Sequence, residues 1–447
     1  MTSGLIDRVA RPEIAGVIIP WFTPAERPTE ARLTETAGLT EALGCKVGFV
    51  QSEQIRRTSP SHLLTGGVLE RLAEQLKTID GTLFIVDGAL TPVQQRNIER
   101  ELSVKVIDRT GLILEIFGLR ARTKTGRLQV ELARQLYERS RLVRTWTHLE
   151  RQRGGRGFLS GPGETQLEAD KRMLDTRVRR LRRDLDDVRR TRSLQRKSRS
   201  RSGTPVIALV GYTNAGKSTL FNAVCGSDVL AKDMPFATLD PTIRRAVLPS
   251  LGEVAFVDTV GFITDLPTHL IESFQATLEE AIEADLLIHV RDRASPVDAK
   301  QKFDVTYVLE TLERSVGHPL PPMIEAWNKA DQLSQDAREA LHEASIRSDE
   351  PKAVLVSALT HDGIDTLIEA IEEALRSAST TLSLRLAPKD GAARAWLYDY
   401  GDVLTETTCP ETGELELDVR LTHAEFGQFD AMFPGLLEQA ALPIRGA

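Results

Sequence analysis

The chain has 447 residues, of which 41% are hydrophobic and 27% charged, and its formal net charge is −7. This length exceeds what one hydrophobic core supports and predicts several domains, while the composition excludes a disordered or fibrous chain. No apolar run approaches the roughly 20 residues of a membrane-spanning helix, no secretory signal is visible, and the three cysteines are widely spaced, so we expect a cytoplasmic protein without a membrane span or disulfide framework.

Residues 1–120 are predicted to form an N-terminal parallel α/β domain. Apolar runs typical of strands alternate with amphipathic stretches typical of helices. The strands are expected at 14–19, 46–50, 82–86 and 104–107, and the helices at about 29–43, 67–78 and 92–101. Asp87 and Asp108 follow two of these strands, at the sheet edge where α/β proteins often bind ligands. Helix capping or turn formation is the alternative role of both carboxylates.

Residues 121–195 are predicted to form a long antiparallel helical hairpin. One helix is expected from Gln129 to about Gln152, and a second from about Gln166 to Leu194 with the alternating three- and four-residue apolar steps of a coiled-coil seam. A glycine-rich tip, residues 151–166, joins them. This tip carries three candidate RNA-binding residues, Arg151, Arg153 and Arg156.

Positive charge is concentrated in this hairpin. From Arg139 to Arg201 there are 20 Lys and Arg against 8 Asp and Glu, a local balance of +12, which leaves −19 for the rest of the chain. A basic stalk with a flexible tip suits insertion into folded RNA, and a solvated charged hairpin without a partner is the alternative. Residues 196–204, rich in Ser and Arg, are predicted to be a linker.

A phosphate-binding loop is predicted near the start of the next domain, residues 205–378. It reads Gly211-Tyr212-Thr213-Asn214-Ala215-Gly216-Lys217-Ser218-Thr219 and lies between an apolar strand and a helix. The glycines let consecutive N–H groups face a polyphosphate, and the helix adds its positive end. Lys217 is expected to reach the terminal phosphates and Ser218 to bind Mg²⁺. A plain glycine turn is the alternative.

Two further motifs are expected near the third phosphate. In Asp258-Thr259-Val260-Gly261, Asp258 is expected to hold Mg²⁺ through water, and the Gly261 N–H to sense the terminal phosphate. The loop Phe236-Ala237-Thr238-Leu239-Asp240 is a candidate switch. Its Thr238 competes with Thr242 for the role of the hydroxyl that completes the Mg²⁺ shell, and spacing alone does not separate them.

The sequence also predicts a guanine site. In Asn328-Lys329-Ala330-Asp331, the Asp331 carboxylate can accept from the ring N–H and the amino group of guanine, which adenine does not offer at that edge. Lys329 is expected to pack along the base. The segment Ser357-Ala358-Leu359 is expected to give a backbone N–H to the guanine carbonyl. Four elements in this chain order predict a GTP site.

Two residues bear on the mechanism. Phe262 follows Gly261, where Ras-type GTPases place a glutamine that orients the attacking water, so hydrolysis here must be organised by another group or a partner. Asn214 can help to hold a monovalent cation, K⁺, against the phosphates. A loop-stabilising hydrogen bond is the alternative role of Asn214.

Residues 379–447 are predicted to form a small C-terminal α+β domain. It combines an apolar strand at 381–386, a helical stretch at 392–400, a hairpin across 403–420 and a helix near 423–432. The predicted architecture is therefore a multidomain α/β protein: an N-terminal parallel α/β domain, a helical hairpin, a P-loop domain with a doubly wound sheet, and this module.

These elements together resemble HflX-type translational GTPases. The resemblance spans about residues 12–375 and rests on the nucleotide motifs together with 108–117, 128–133, 153–157 and 161–168, of which Gly-Pro-Gly-Glu-Thr-Gln (161–166) is close to diagnostic. It implies a GTP hydrolase that binds the large ribosomal subunit and its RNA, is stimulated by it and splits stalled ribosomes. It also implies that Thr238 is the switch threonine on Mg²⁺.

The expected catalytic residues are thus Lys217, Thr238 and Gly261, in a monomer that uses Mg²⁺ with K⁺ as a candidate second cation. Two alternatives from other classes stay open: a nucleotide-binding scaffold that uses the hairpin to hold a protein partner, and an RNA-remodelling NTPase.

Overall fold

The computed structural model describes residues 13–56, 61–152, 166–201, 204–226, 234–236, 238–265, 273, 281–317, 319–347, 351–377, 380–409, 413–421 and 423–437. The chain divides into two compact units. The first comprises residues 1–185, 232–240 and 265–274, and the second comprises 186–231, 241–264 and 275–447. No helix among the described residues combines the length and the apolar character that crossing a bilayer requires.

The first unit contains a four-stranded parallel sheet in the order β2-β1-β3-β4. Its strands are β1 (Ile14–Trp21), β2 (Lys46–Gln54), β3 (Leu83–Val86) and β4 (Lys105–Asp108). Its helices are α1 (Glu30–Ala42), α2 (Gly66–Thr78), α3 (Pro92–Leu102) and α4 (Arg109–Arg120). Helical crossovers allow successive strands to run in the same direction. The predicted N-terminal parallel α/β domain is confirmed.

The two strand-end carboxylates have different roles. Asp108 caps α4, a helix that the sequence analysis does not predict, by accepting from the Gly111 N–H at 2.8 Å. Asp87 caps no helix: it is 5% exposed and accepts from Arg109 at 2.6 Å and from Arg32 at 2.8 Å. Burial alone would raise the pKa of Asp87, but the two guanidinium charges lower it below its usual range. Helix capping is therefore confirmed for Asp108, whereas Asp87 lies at the bend after β3, where the Gly88 N–H donates to the Val86 carbonyl at 2.8 Å.

The predicted antiparallel helical hairpin is confirmed and consists of α5 (Lys124–Gln152) and α6 (Gln166–Arg201). Apolar side chains bury one seam between them: Leu132, Leu136, Val178, Leu181 and Leu185. The ion pairs Arg139–Asp175 (3.3 Å) and Arg177–Glu131 (3.0 Å) flank this seam.

The second helix of the hairpin is longer than predicted. It continues through 196–201, where a linker was expected, because the Arg, Ser and Lys residues there tolerate a helix and no Gly or Pro lies between Gly163 and Gly203. The boundary between the two compact units falls within α6, after Leu185.

The second unit is built on a six-stranded sheet in the order β10-β9-β8-β5-β7-β6. Its strands are β5 (Val206–Gly211), β6 (Thr242–Leu248), β7 (Gly252–Asp258), β8 (Leu286–Asp292), β9 (Met323–Asn328) and β10 (Ala353–Leu355). Its helices include α7 (Lys217–Cys225), α8 (Asp298–Val316), α9 (Gln335–Ile346) and α10 (Ile364–Ser377). Only the edge strand β6 is antiparallel among the strands described here. The strand order reverses at β5, the usual ligand position of a doubly wound sheet, which confirms the predicted P-loop fold.

The C-terminal part is a three-stranded antiparallel sheet in the order β11-β13-β12. It comprises β11 (Thr380–Leu386), α11 (Gly391–Tyr400), β12 (Asp402–Thr408), β13 (Leu415–Leu421) and α12 (His423–Met432). Leu384, Leu397, Leu417 and Phe429 are fully buried in its core. The predicted small α+β module is confirmed.

Candidate functional site

The phosphate-binding loop joins β5 to α7 in the second unit. Gly211 and Gly216 have φ values of 152° and 92°, which side chains rarely adopt. A Cβ atom at Gly211 would clash with the carbonyl oxygen of Val290, and one at Gly216 with the amide nitrogen of Asn328. Both glycines are therefore required by close packing as well as by backbone conformation.

Lys217, the first residue of α7, points back over this loop. Its side chain is buried, and Nζ donates to the carbonyl oxygens of Gly211 (3.1 Å) and Tyr212 (2.8 Å). Burial lowers the pKa of Lys217 to about 8, and the nearby charge of Asp258 opposes this shift. An ammonium group held here by two weak acceptors is ready to exchange them for phosphate oxygens.

The two residues that were predicted to serve Mg²⁺ in this unit lie together. The Ser218 hydroxyl donates to the Asp258 carboxylate at 2.7 Å, and Asp258 is 3% exposed. Hydroxyl and carboxylate oxygens are the hard ligands that Mg²⁺ prefers, so this pair fits the ion. The neighbouring Thr259 hydroxyl instead donates to the Leu209 carbonyl at 2.6 Å and fixes the end of the sheet.

Gly261 and Phe262 pass directly beside the phosphate loop. The Thr213 N–H donates to the Phe262 carbonyl at 2.7 Å, and the Phe262 N–H donates to the Gly211 carbonyl at 3.1 Å. A Cβ atom at Gly261 would lie 3.0 Å from both the Thr213 Cα atom and Lys217 Nζ, so a side chain at this position would crowd the phosphate loop. Phe262 is 2% exposed, and its ring has no polar atom to offer to water.

The base-reading motif contacts the phosphate loop through Asn328. Its amide nitrogen donates to the Ala215 carbonyl at 2.8 Å, and its amide oxygen accepts from the Ala358 N–H at 3.0 Å. The Asp331 carboxylate accepts from the Ser357 hydroxyl at 2.6 Å. Three elements that are distant in sequence thus meet at one edge of the sheet. The bridging role of Asn328 has no local sequence signal.

A buried ionic network supports β9, which carries this motif. Glu325 accepts from the indole N–H of Trp327 at 2.7 Å and pairs with Lys302 at 2.7 Å. Arg291 contacts both Glu325 and Asp298. Burial alone would raise the pKa of Glu325, but its hydrogen bonds from Lys302 and Trp327 and the charge of Arg291 lower it to about 2. Lys329, one residue after the strand, pairs with Asp292 at 2.9 Å.

Other predicted nucleotide residues of the second unit occupy varied surroundings. Asn214 is exposed with φ 60°, Thr219 is half-buried and Val260 is 6% exposed. Leu359 is 72% exposed. Their predicted contacts with GTP or K⁺ stay predictions.

The candidate switch residues belong to the first unit. Phe236 packs edge-on against Phe117 of α4 at a centroid distance of 4.7 Å, and Leu239 is buried. Asp240 accepts from the backbone N–H groups of Arg122 and Thr123 at 2.9 Å each. Thr238 is half-buried, and Ala237 lies outside the described residues. Binding of nucleotide or Mg²⁺ by this segment stays a prediction.

The candidate RNA-binding surface is described along the stalk of the hairpin but not at its tip. Arg151 lies at the end of α5, where no side chain is described, and Arg153 and Arg156 are outside the described residues. Exposed arginines occur along α6 at Arg172, Arg177, Arg179, Arg180, Arg182, Arg183 and Arg190. Some of them form exposed ion pairs with acidic neighbours, such as Arg180 with Asp184 at 4.0 Å.

Comparisons with known proteins cover most of the chain. Four family profiles match consecutive regions. They are described as GTP-binding GTPase N-terminal (residues 30–118), GTP-binding GTPase Middle Region (120–199), 50S ribosome-binding GTPase (206–329) and HflX C-terminal domain (343–438).

Curated relatives agree with these profiles. The protein named GTPase HflX from Magnetococcus marinus is 44% identical over 368 residues, which are 82% of this chain and 82% of its own. GTPase HflX from Escherichia coli is 39% identical over 437 residues, which are 97% of this chain and 99% of its own. The crystal structure of SsGBP in complex with GDP is similar with a TM-score of 0.49 and 24% identity, covering 81% of this chain and 98% of that chain.

Proposed function

Because the chain belongs to the HflX family of GTPases, we propose that it binds the large ribosomal subunit in the cytoplasm through the α5–α6 hairpin and couples GTP hydrolysis to the dissociation of stalled ribosomes. The family membership supports GTP hydrolysis. The basic charge of the hairpin supports the proposal of an RNA partner, since guanidinium groups form bidentate hydrogen bonds with phosphates.

One geometric feature carries the nucleotide part of the proposal: Asn328 bridges the phosphate loop and the Ser357–Ala358 turn. This bridge fixes the distance between a phosphate cradle and the carboxylate of Asp331, as a ligand with a polyphosphate and a guanine base requires.

The residues of the proposed nucleotide site then have the following roles. Lys217 releases its two carbonyl acceptors and stabilises negative charge on the terminal phosphates. The Gly261 N–H donates to the third phosphate, and Asp331 accepts from guanine. When bound, Mg²⁺ would be held by Ser218, Asp258 through water and Thr238, and would neutralise phosphate charge. Asn214, an exposed residue of the phosphate-binding loop, is the proposed K⁺ ligand, which predicts faster turnover in K⁺ than in Na⁺ and no such difference in Asn214→Ala.

The α5–α6 hairpin, called the arm below, is proposed to bind RNA by electrostatic attraction. The exposed arginines of α6 lie on a stalk that leads to the tip with Arg151, Arg153 and Arg156. Binding of a basic surface to a polyanion releases counterions, so its affinity falls as salt rises. GTP turnover is proposed to accelerate when this surface binds ribosomal RNA.

The test is GTP turnover of the full chain with and without purified large ribosomal subunits. We expect stimulation of the wild type and loss of stimulation, with unchanged basal turnover, in Arg151→Gln/Arg153→Gln/Arg156→Gln. A matched control removes three exposed arginines from the second unit, Arg338→Gln/Arg385→Gln/Arg394→Gln, and should be stimulated normally. Absence of stimulation in the wild type would contradict the proposal and favour a scaffold, and turnover of ATP at the same rate would favour an RNA-remodelling NTPase.

A further inference from the structure

Tyr212, the second residue of the phosphate loop, makes side-chain contacts with the segment that follows Gly261. Tyr212 is 4% exposed, and Thr264 is 6% exposed. The Thr264 N–H donates to the Tyr212 hydroxyl oxygen at 2.8 Å, and the Thr264 hydroxyl lies 2.8 Å from the same oxygen. The Thr264 hydroxyl also donates to a carboxylate oxygen of Asp304 on α8 at 2.7 Å. A buried hydrogen-bonded chain thus links the loop, the segment and a helix.

The direction of each hydrogen bond in this chain follows from the chemistry of its groups. An ionised carboxylate only accepts, so the single hydroxyl proton of Thr264 goes to Asp304. The Tyr212 hydroxyl therefore donates to Thr264 Oγ1 and uses its own oxygen to accept the Thr264 N–H. Every group is used in one consistent arrangement, and phenylalanine at position 212 would remove two of its hydrogen bonds without changing the ring.

The backbone reinforces the same connection on both sides of Tyr212. Gly211 accepts from the Phe262 N–H, and Thr213 donates to the Phe262 carbonyl. Residues 211–213 and 262–264 are therefore joined by two backbone and two side-chain hydrogen bonds. Gly261 lies immediately before this connection and beside Lys217, so its position depends on how firmly the connection holds.

We propose that Tyr212 is a positioning residue for GTP hydrolysis, acting through Thr264 and Asp304 on the backbone of Gly261 and Phe262. The inference rests on the proposed GTPase function. Phe262 has no polar side-chain atom, so this segment can contribute to hydrolysis only through its backbone groups. A backbone group acts only if it is held in place, and Tyr212 supplies the side-chain part of that constraint. The nucleotide-binding cradle itself does not need the hydroxyl.

The first test is the steady-state kinetics of Tyr212→Phe in the full chain. We expect kcat for GTP to fall about tenfold, the usual consequence of losing a buried hydrogen bond from a reacting arrangement. KM for GTP and Kd for GDP should stay within about twofold, because the ring and the loop glycines are retained. Tyr398→Phe removes a hydroxyl that donates to Glu406 in the C-terminal sheet and should leave kcat unchanged.

Two variants of the partner residue sharpen the test. Thr264→Val removes the shared hydroxyl and should lower kcat like Tyr212→Phe, whereas Thr264→Ser retains the hydroxyl and should keep kcat near that of the wild type. Both residues act through one chain of hydrogen bonds. The double variant Tyr212→Phe/Thr264→Val should therefore have about the same kcat as either single variant.

Two outcomes would overturn the inference. One is an unchanged kcat in Tyr212→Phe. The other is a fall in kcat that comes with a similar fold loss of GDP affinity and a lower melting temperature. The second outcome would mean that the hydroxyl merely stabilises the domain. Failure of the proposed function is a separate result, since it would appear as no GTP turnover in the wild type.

Discussion

Two segments were predicted to respond to the third phosphate, and different parts of the molecule hold them. Residues 258–261 belong to the second unit, where the next residue, Phe262, pairs with the phosphate loop through its backbone. Residues 236–240 belong to the first unit, where Phe236 packs on α4. The first of these segments is therefore fixed by the nucleotide cradle, and the second by the unit that contains the base of the arm.

Asp240 joins the second of these segments to the start of α5. Thr123 caps α5 by accepting from the Gly126 N–H at 3.0 Å, and Asp240 holds Thr123 through both its backbone N–H and its hydroxyl. Thr238 lies two residues before Asp240. We therefore expect that nucleotide binding and the attachment of the candidate switch segment to the start of α5 can be separated by mutation.

The largest effect should come from Lys217→Ala, which acts on the cradle alone. Loss of the ammonium group removes the main positive charge that is proposed to stabilise the transferring phosphoryl group. We therefore expect GTP turnover to fall by at least about 100-fold. Hydrogen exchange of the α5 amides, measured by mass spectrometry, should be unchanged. Retained turnover would contradict the assignment of the loop.

The next effect concerns the base. Asp331→Asn leaves an amide oxygen that can still accept from Ser357, but it presents the wrong donor pattern to guanine. We expect GTP affinity to fall about 10- to 100-fold, as for a hydrogen bond to a charged group, with tighter binding of xanthosine triphosphate. Competition binding with both nucleotides measures this change, and unchanged GTP affinity would exclude a base-reading role.

The pH dependence of GDP binding provides a smaller effect. In the free protein the pKa of Lys217 is lowered to about 8, and phosphate binding should raise this pKa again because it favours the ammonium form. Affinity should therefore be constant below pH 8 and weaken above it by up to about tenfold per pH unit. Titration calorimetry from pH 7 to 9.5 measures this slope, which should be absent in Lys217→Ala.

The smallest effect should come from Asp240→Ala, on the other side of the comparison. Loss of the carboxylate frees Thr123 and should raise hydrogen exchange at the start of α5 by about fivefold, or about 1 kcal/mol, the usual value of a helix cap. GDP affinity should be unchanged, since GDP lacks the third phosphate. Asp399→Ala, an exposed acid on α11, is the control. Weakened GDP binding in Asp240→Ala would show that the two segments are not separable.

Much of the fold was predictable because local patterns dictate it. Apolar runs bounded by turn residues located β1 to β4, and the glycine loop after β5 identified the P-loop. The patterns failed at 196–201. The residues there have no strong preference for a helix but tolerate one, and no helix-breaking residue interrupts it. The patterns also did not reveal the ion pair of Asp87, because its partner Arg109 is 22 residues away in sequence.

The site was predictable as a set of motifs but not as a network. Binding of phosphate and guanine would restrict Lys217, Gly261 and Asp331 to few residue types, so the sequence points to them, and their roles stay predictions. The bridge from Asn328 to Ala215 spans 113 residues, and the bond from Tyr212 to Thr264 spans 52. Such contacts depend on the sheet bringing strand ends together, and no local pattern records them.

The most direct test of the account is cosedimentation of the full chain with large ribosomal subunits in each nucleotide state across a salt series. We expect strong association with a non-hydrolysable GTP analogue, weaker association with GDP, and a steady loss of both as salt rises, because the arm is proposed to contact phosphates. Association that is equal in all nucleotide states, or that does not change with salt, would contradict a GTP-controlled basic arm.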